Sequence, residues 1–278
     1  MEALASLPVA ELVLLALGVA VAGLLAGVVA GLLGVGGGIV LVPVLFQAFS
    51  LIGVPGHLCM PLAVGTSLAT IIPTSIRSTL SHHRHGAVDW PVLRAWGLPT
   101  IIGVLAGSIA VGFIGGDGLK LVFALGAGCL GVFMLLGPVD WRAGERVPLG
   151  WGAWPLGGAN GFLSVLMGIG GGTFGVTIMT ICGATMHRAV ATAAGFGAII
   201  AVPGTIGMIL NGWGVPGLPP LSVGYVSLPG LLLIIPATLL TTPIGVALAH
   251  RLDKASLRRA FGLFLCLTAT RMAWAWMA

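Results

Sequence analysis

The sequence predicts an all-α integral membrane protein made of two inverted repeats of about five helical segments each, with a glycine-broken or re-entrant helix at the start of each repeat. Three observations carry this. Of the 278 residues, 58% are hydrophobic and only 7% charged, with a mean hydropathy of +1.13. Soluble domains carry about 25% charged residues, so this chain lacks the polar surface that water demands. Its apolar residues fall in runs near the ~20 residues that cross a bilayer. Finally, a glycine-dense interruption, GLLGVGGGIVLVP from Gly31 to Pro43, is answered by LMGIGGGTFGVT from Leu166 to Thr177.

The first segment, Glu11–Leu33, follows an N-terminus whose Glu2 and Glu11 stand where a cleavable signal peptide would be basic. It ends where five glycines fall within residues 31–38, each costing a helix roughly 1 kcal/mol relative to alanine. A short segment, Ile39–Gly53, follows that break, then full-length runs Pro61–Leu80, Pro91–Ile114 and Leu119–Leu136. The second half reads Gly152–Ile169, a short Phe174–Cys182 after its own break, Ala189–Leu210, Tyr225–Ala249 and Leu257–Met277. This gives a first repeat over residues 1–138, a cytoplasmic linker over 139–151 and a second repeat over 152–278.

The halves match in order. Gly34, Gly36, Gly37 and Gly38 correspond to Gly168, Gly170, Gly171 and Gly172 at a constant offset (168 − 34 = 134). MPLAVGT at Met60–Thr66 answers MHRAVAT at Met186–Thr192, and LKLVFA at Leu119–Ala124 answers LRRAFG at Leu257–Gly262. Five segments per half is odd, so the second copy enters the membrane the other way round. Charge agrees: Arg77, Arg84, Arg94, Arg142, Arg146, Arg188, Arg251, Lys254, Arg258 and Arg259 fall on one face, leaving Lys120 and Arg271 for the other. Cytoplasmic loops are enriched in Lys and Arg, which places both termini on the non-cytoplasmic side. The basic loop RSTLSHHRHGAVDW has an uncharged counterpart, NGWGVPGLPPLSVGY.

Inverted-repeat carriers bind substrate near the midplane between interrupted helices. A helix starting after GGG exposes unpaired N–H groups and the positive end of its dipole, and two such ends would make a nest for an anion. The expected substrate contacts are Gly36, Gly37, Gly38, Gly170, Gly171 and Gly172, with hydroxyls from Thr66, Ser67, Thr173 and Thr192 and entry assisted by Arg77. A single glycine cluster would be read as close helix packing; its duplication before a short segment points to a site. No Asp or Glu stands in mid-span, which argues against a cation carrier or a carboxylate proton relay.

Other chemistries fail on pattern. GVGGG lacks GxGxxG order and a following GK[ST], so no nucleotide loop is present. SHHRHG, Ser81 to Gly86, reads as a charge-rich loop rather than a metal site. Cys59, Cys129, Cys182 and Cys266 form no CxxC pair and read as small buried hydrophobes. A membrane-embedded enzyme would need a nucleophile–base or metal constellation, and no Ser–His or HExxH pattern lies in a span. The expectation is no catalytic residue, no metal and no cofactor.

The motifs GLLGVGGGIVLVPVL, AVGTSLATI, HHRHGAVDW and NGFLSVLMGIGGG together resemble the sulfite exporter TauE/SafE family, the TSUP permeases. The resemblance spans nearly the whole chain and is closer in the first half, because AVATAAG replaces AVGTSLA and Thr177 stands where Pro43 stands in the first. It implies multi-pass transport at the inner membrane, as an exporter of small sulfur-containing anions such as sulfite, sulfoacetate, other organosulfonates or thiosulfate-like species. The rival reading is a carrier of another small solute, an amino acid or other organic anion. The partners expected are the anionic substrate, the lipid bilayer and a second copy of the chain in a homodimer, with no nucleic acid: the net charge of +5 sits in short loops.

Overall fold

The computed structural model describes residues 9–33, 37–137, 144–249, 251 and 254–277. Among these, nine helices follow one another: α1 Val9–Leu33, α2 Gly38–Leu51, α3 Gly56–Arg84, α4 Trp90–Leu136, α5 Ala153–Met167, α6 Gly172–Ile181, α7 Met186–Asn211, α8 Leu228–Ala249 and α9 Lys254–Met277. The one sheet among them is a two-residue hairpin, β1 Ser222–Val223 against β2 Val226–Ser227. The chain is therefore an all-α membrane protein: α3, α4, α7 and α8 are each long and apolar enough to cross a bilayer.

The two short segments are short helices. With 14 residues in α2 and 10 in α6, they rise about 21 and 15 Å at ~1.5 Å per residue, well short of a hydrocarbon core about 30 Å thick. The fourth and fifth expected segments join in α4, whose 47 residues are helical except at Gly115 (φ 67°, ψ −176°). Positive φ is open to glycine without steric cost, and the chain reverses there: Gly107 and Gly126 both abut α5, at Val165 and Met167.

Packing follows the glycines. α3 and α7 form a central antiparallel pair, Gly65 meeting Met208, Gly204 meeting Leu68 and Gly197 meeting Ser75. α1 runs parallel to α8 through Gly23, Gly27 and Gly31, which rest on Ala237, Thr238–Thr241 and Thr242–Val246 in turn. α5 runs parallel to residues 90–114 of α4 in the same manner, Gly157 and Gly161 lying against Thr100 and Gly103 against Gly158. A glycine every fourth residue puts a bare strip on one helix face and lets backbones approach, the small-xxx-small mode of membrane helices. Residues 116–136 of α4 pack antiparallel on α9, Gly128 against Ala269 and Gly131 against Gly262 and Cys266. Cys59 is buried, but Cys129 is exposed. Cys182 and Cys266 are half-buried, so the expectation of four buried thiols holds for Cys59 alone; it fails most at Cys129, because Gly128 and Gly131 take the faces toward α9.

The bundle has two distinct ends. One carries residues 52–57, the turn at Gly115 and residues 212–227, held together where Gly116 meets the His57 carbonyl and Gly212 meets Tyr225. The other carries residues 85–89, 144–152 and 182–185, tied by Trp96 Nε1–H donating to Pro148 O at 2.8 Å and by Gly183 packing on Gly144 and Glu145. Leu14 of α1 and Arg271 of α9 line one crevice with Leu51 and Ile52, so both termini of the described chain lie at the first end.

Candidate functional site

α2 and α6 both start in the middle of the bundle, and they start alike. The N-cap of α2 is Gly37 at φ 77°, ψ −7°; the N-cap of α6 is Gly171 at φ 70°, ψ −5°. Both are left-handed, a region costing an L-residue with a Cβ roughly 1–2 kcal/mol, and neither helix has a side-chain cap. The first N–H groups of each helix therefore lack the Ser, Asp or Asn acceptor that usually satisfies them.

The two breaks meet where the start of α2 touches the end of α5. A methyl added to Gly38 would overlap the carbonyl oxygen of Gly168 and stand 2.9 Å from Ile71 Cδ1 and 3.0 Å from Ser67 Oγ. Ser67 Oγ–H donates to that same Gly168 carbonyl at 2.8 Å. Gly168 (φ 66°, ψ 31°) closes α5, with the Ile169 N–H donating back to Ser164 O at 2.9 Å. Only two residues then separate it from Gly171. From this crossing α2 runs toward the end bearing residues 52–57 and α6 toward the end bearing 182–185.

Around the second start the polar groups are unpaired. Asn160 of α5 is fully buried, and both its Nδ2 and its Oδ1 lack a hydrogen-bond partner. It faces the first turn of α6: a Cβ on Gly171 would lie 3.3 Å from its Nδ2 and 3.6 Å from its Oδ1, and one on Gly175 would lie 3.5–3.6 Å from both. The hydroxyls of Thr173 and Ser164 are likewise fully buried and unpartnered. Buried polar side chains are nearly always paired, so this cluster needs an explanation.

The expected contacts divide accordingly. Gly38 and Ser67 meet the second break, Gly170 lies against Gly197 beside Ser75, and Gly171, Gly172 and Thr173 form the start of α6 beside Asn160. Gly37 packs on α1, 2.7 Å from Ala26 O were it to carry a Cβ. Gly36 lies outside the described residues. Three side chains sit elsewhere. Thr66 Oγ1 accepts from Ser227 N–H at 3.0 Å and Thr192 Oγ1 accepts from Asp89 N–H at 2.9 Å. Each thus ties a central helix to the residue leading into α8 or α4. Arg77 is exposed, ten residues or about 15 Å along α3 from Ser67, because the helix turns its Ser75 and Ser78 face inward instead.

Asn160 is not among the contacts the sequence predicts, although it opens the motif NGFLSVLMGIGGG. Its signal was a carboxamide in the middle of an apolar segment, where polar residues are costly and functional by default. The electrostatics come from the backbone. The buried lysine and histidine side chains among the described residues are His82, 3.1 Å from Gly31 O, and Lys120, paired with Asp117 at 2.9 Å; neither borders the contact between the breaks.

The chain is 33% identical over 257 residues to a probable membrane transporter protein of Haemophilus influenzae, covering 90% of this chain and 95% of that one. It is 26% identical over 251 residues to a probable membrane transporter protein of Methanocaldococcus jannaschii, covering 86% and 88%. No solved structure matches it. The family model described as sulfite exporter TauE/SafE matches residues 19–272, so nearly the whole chain is accounted for: this multi-pass protein belongs to the TauE/SafE family of membrane transporters.

Proposed function

We propose that the chain exports a small sulfur-containing anion, such as sulfite, an organosulfonate including sulfoacetate, or a thiosulfate-like species, across the inner membrane by alternating access about the place where the two glycine breaks meet. The observation that carries this reading is a pair of uncapped, left-handed-capped helix N-termini in the middle of the bundle, following two glycine breaks that touch where Gly38 meets Gly168. Each such end presents roughly half a positive charge, and in a water-poor interior that field attracts an anion without any basic side chain. The family description names sulfite.

The reading takes residues 1–138 and 152–278 as inverted copies, with the linker between them. Supporting this, Gly37 and Gly171 share a backbone conformation, and α2 and α6 leave the crossing toward opposite ends. The α1–α8 pair is also mirrored by α5 and the first limb of α4. Rocking one half against the other would open the crossing to each side in turn. The end carrying Arg84, Arg94, Arg146 and Arg188 is cytoplasmic in this reading, with both termini outside.

Flux of labelled sulfite from proteoliposomes tests it. Gly37→Leu and Gly171→Leu are expected to abolish flux while the protein still inserts and purifies as a folded species. Wild-type flux in either folded variant overturns the site; absence of sulfite or sulfonate flux in the wild type overturns the substrate.

A further inference from the structure

We propose that Asn160 contacts the carried anion and selects a singly protonated sulfur oxyanion, hydrogensulfite, over fully deprotonated ones. The inference rests on the transport reading above and deepens it. An amide buried with both polar atoms unpaired is a standing cost to the fold, and one that a ligand completing its hydrogen bonds would remove. Asn160 is placed for that. Gly171 and Gly175, one turn apart on α6, present bare backbone to its amide at 3.3–3.6 Å from their absent Cβ positions. Beside it lies the uncapped start of α6, with the unpartnered, fully buried Thr173 hydroxyl in the same turn.

The first half has no such group. At the repeat offset, Asn160 corresponds to residue 26 (160 − 134), which is Ala26, and there Gly37 closes on the Ala26 backbone. The ligand-reading chemistry is therefore concentrated at the second break, although the family resemblance is closer at the first.

Selectivity follows from the inventory of donors and acceptors. Backbone N–H groups, the Asn160 NH2 and the Thr173 hydroxyl can donate, while Asn160 Oδ1 can only accept, whichever way the amide is turned. A fully deprotonated oxyanion offers that oxygen no proton and repels it; a hydrogen oxyanion supplies one. A second negative charge would also go unanswered, because the ionisable groups on the elements packed against α5 lie away from Asn160. Arg94 and Cys129 of α4 are exposed, Lys120 is ion-paired with Asp117, and α7 carries His187 and Arg188 in its first turn. On α3, Arg77 is exposed and the remaining ionisable groups stand near the two ends.

The test is direct binding to the purified full-length protein in nanodiscs. Sulfite is titrated on both sides of its second ionisation, with sulfate as a dianion of similar size, and wild type, Asn160→Leu and Thr173→Val are compared. The expected result has wild-type affinity tracking the hydrogensulfite fraction, sulfate failing to compete, and Asn160→Leu weakening binding at least tenfold. The unfolding midpoint of Asn160→Leu should equal or exceed wild type, since leucine fills the space and leaves no polar atom unpaired. Thr173→Val should weaken binding less. Asn160→Leu that binds within twofold of wild type, or that unfolds more easily or fails to fold, overturns the role of Asn160. Wild-type affinity indifferent to sulfite protonation, or sulfate competing equally, overturns the selectivity. Wild type binding no sulfur anion at any pH overturns the transport reading itself.

Discussion

Gly38→Ala probes the contact on which the site depends. Gly38 is helical with ordinary negative φ, so the change carries no left-handed strain. As the first residue of α2 it gains at most the ~1 kcal/mol by which alanine exceeds glycine in a helix. Against that, the new methyl would overlap the Gly168 carbonyl, a backbone atom fixed by the end of α5, and would press on Ile71 and Ser67. Overpacking a tight interior costs about 1–3 kcal/mol, and displacing Gly168 loses the Ser67 hydrogen bond, worth about 1 kcal/mol. The net expectation is a loss of about 1–3 kcal/mol, with transport reduced because the start of α2 is wedged away from the second glycine break. Gly18→Ala in α1, where nothing lies within 4 Å, is the control and should be neutral or stabilising by up to about 1 kcal/mol. Reversible unfolding in detergent, followed by tryptophan fluorescence, reads both. Should Gly38→Ala be as stable as Gly18→Ala and fully active, the two breaks are not in contact and the reasoning fails.

Three further outcomes are expected. Thr66→Val and Thr192→Val each strand a backbone N–H, at Ser227 and Asp89. Each should lose about 1–2 kcal/mol in the same unfolding assay, with anion affinity unchanged; weakened binding without lost stability would return these hydroxyls to the site. Gly171→Ala should lose about 1–2 kcal/mol, through its left-handed conformation and a Cβ that would overlap Ile200 Cδ1; stability equal to wild type would contradict the backbone geometry. Burial pushes the Cys182 thiol above its ordinary value, so less thiolate is present at neutral pH. In a variant keeping only Cys182, maleimide applied from the cytoplasmic side should label slowly at neutral pH and faster as pH rises. A rate flat with pH, or labelling from the opposite side alone, would refute the environment or the orientation.

Much of the architecture was legible in the sequence, because a bilayer imposes simple rules. Segment length and apolarity identify spans, and the glycine breaks at Gly34–Gly38 and Gly168–Gly172 announced two short helices. The turn at Gly115 was read as a gap between segments; the helix runs up to it on both sides because one positive-φ residue suffices to reverse the chain. The side-chain roles were less legible. Thr66, Ser67 and Thr192 carry hydroxyls suited to an anion, but hydroxyls serve equally well as tethers, and sequence cannot say which backbone group stands opposite. Arg77 was placed near the site by its position along α3; its direction around the helix, 100° per residue, put it outside.

The sequence by itself determined that the chain is helical, lies in a membrane and is interrupted twice, since hydropathy and glycine content act locally on each segment. Only the tertiary structure decided that the two interruptions touch, that Ser67 bonds Gly168, and that Asn160 faces the start of α6 with its amide unpaired. Those facts join residues distant in the chain, and they are set by how the helices pack: bare glycine faces allow the backbones to close until carbonyls and side chains from separate segments meet.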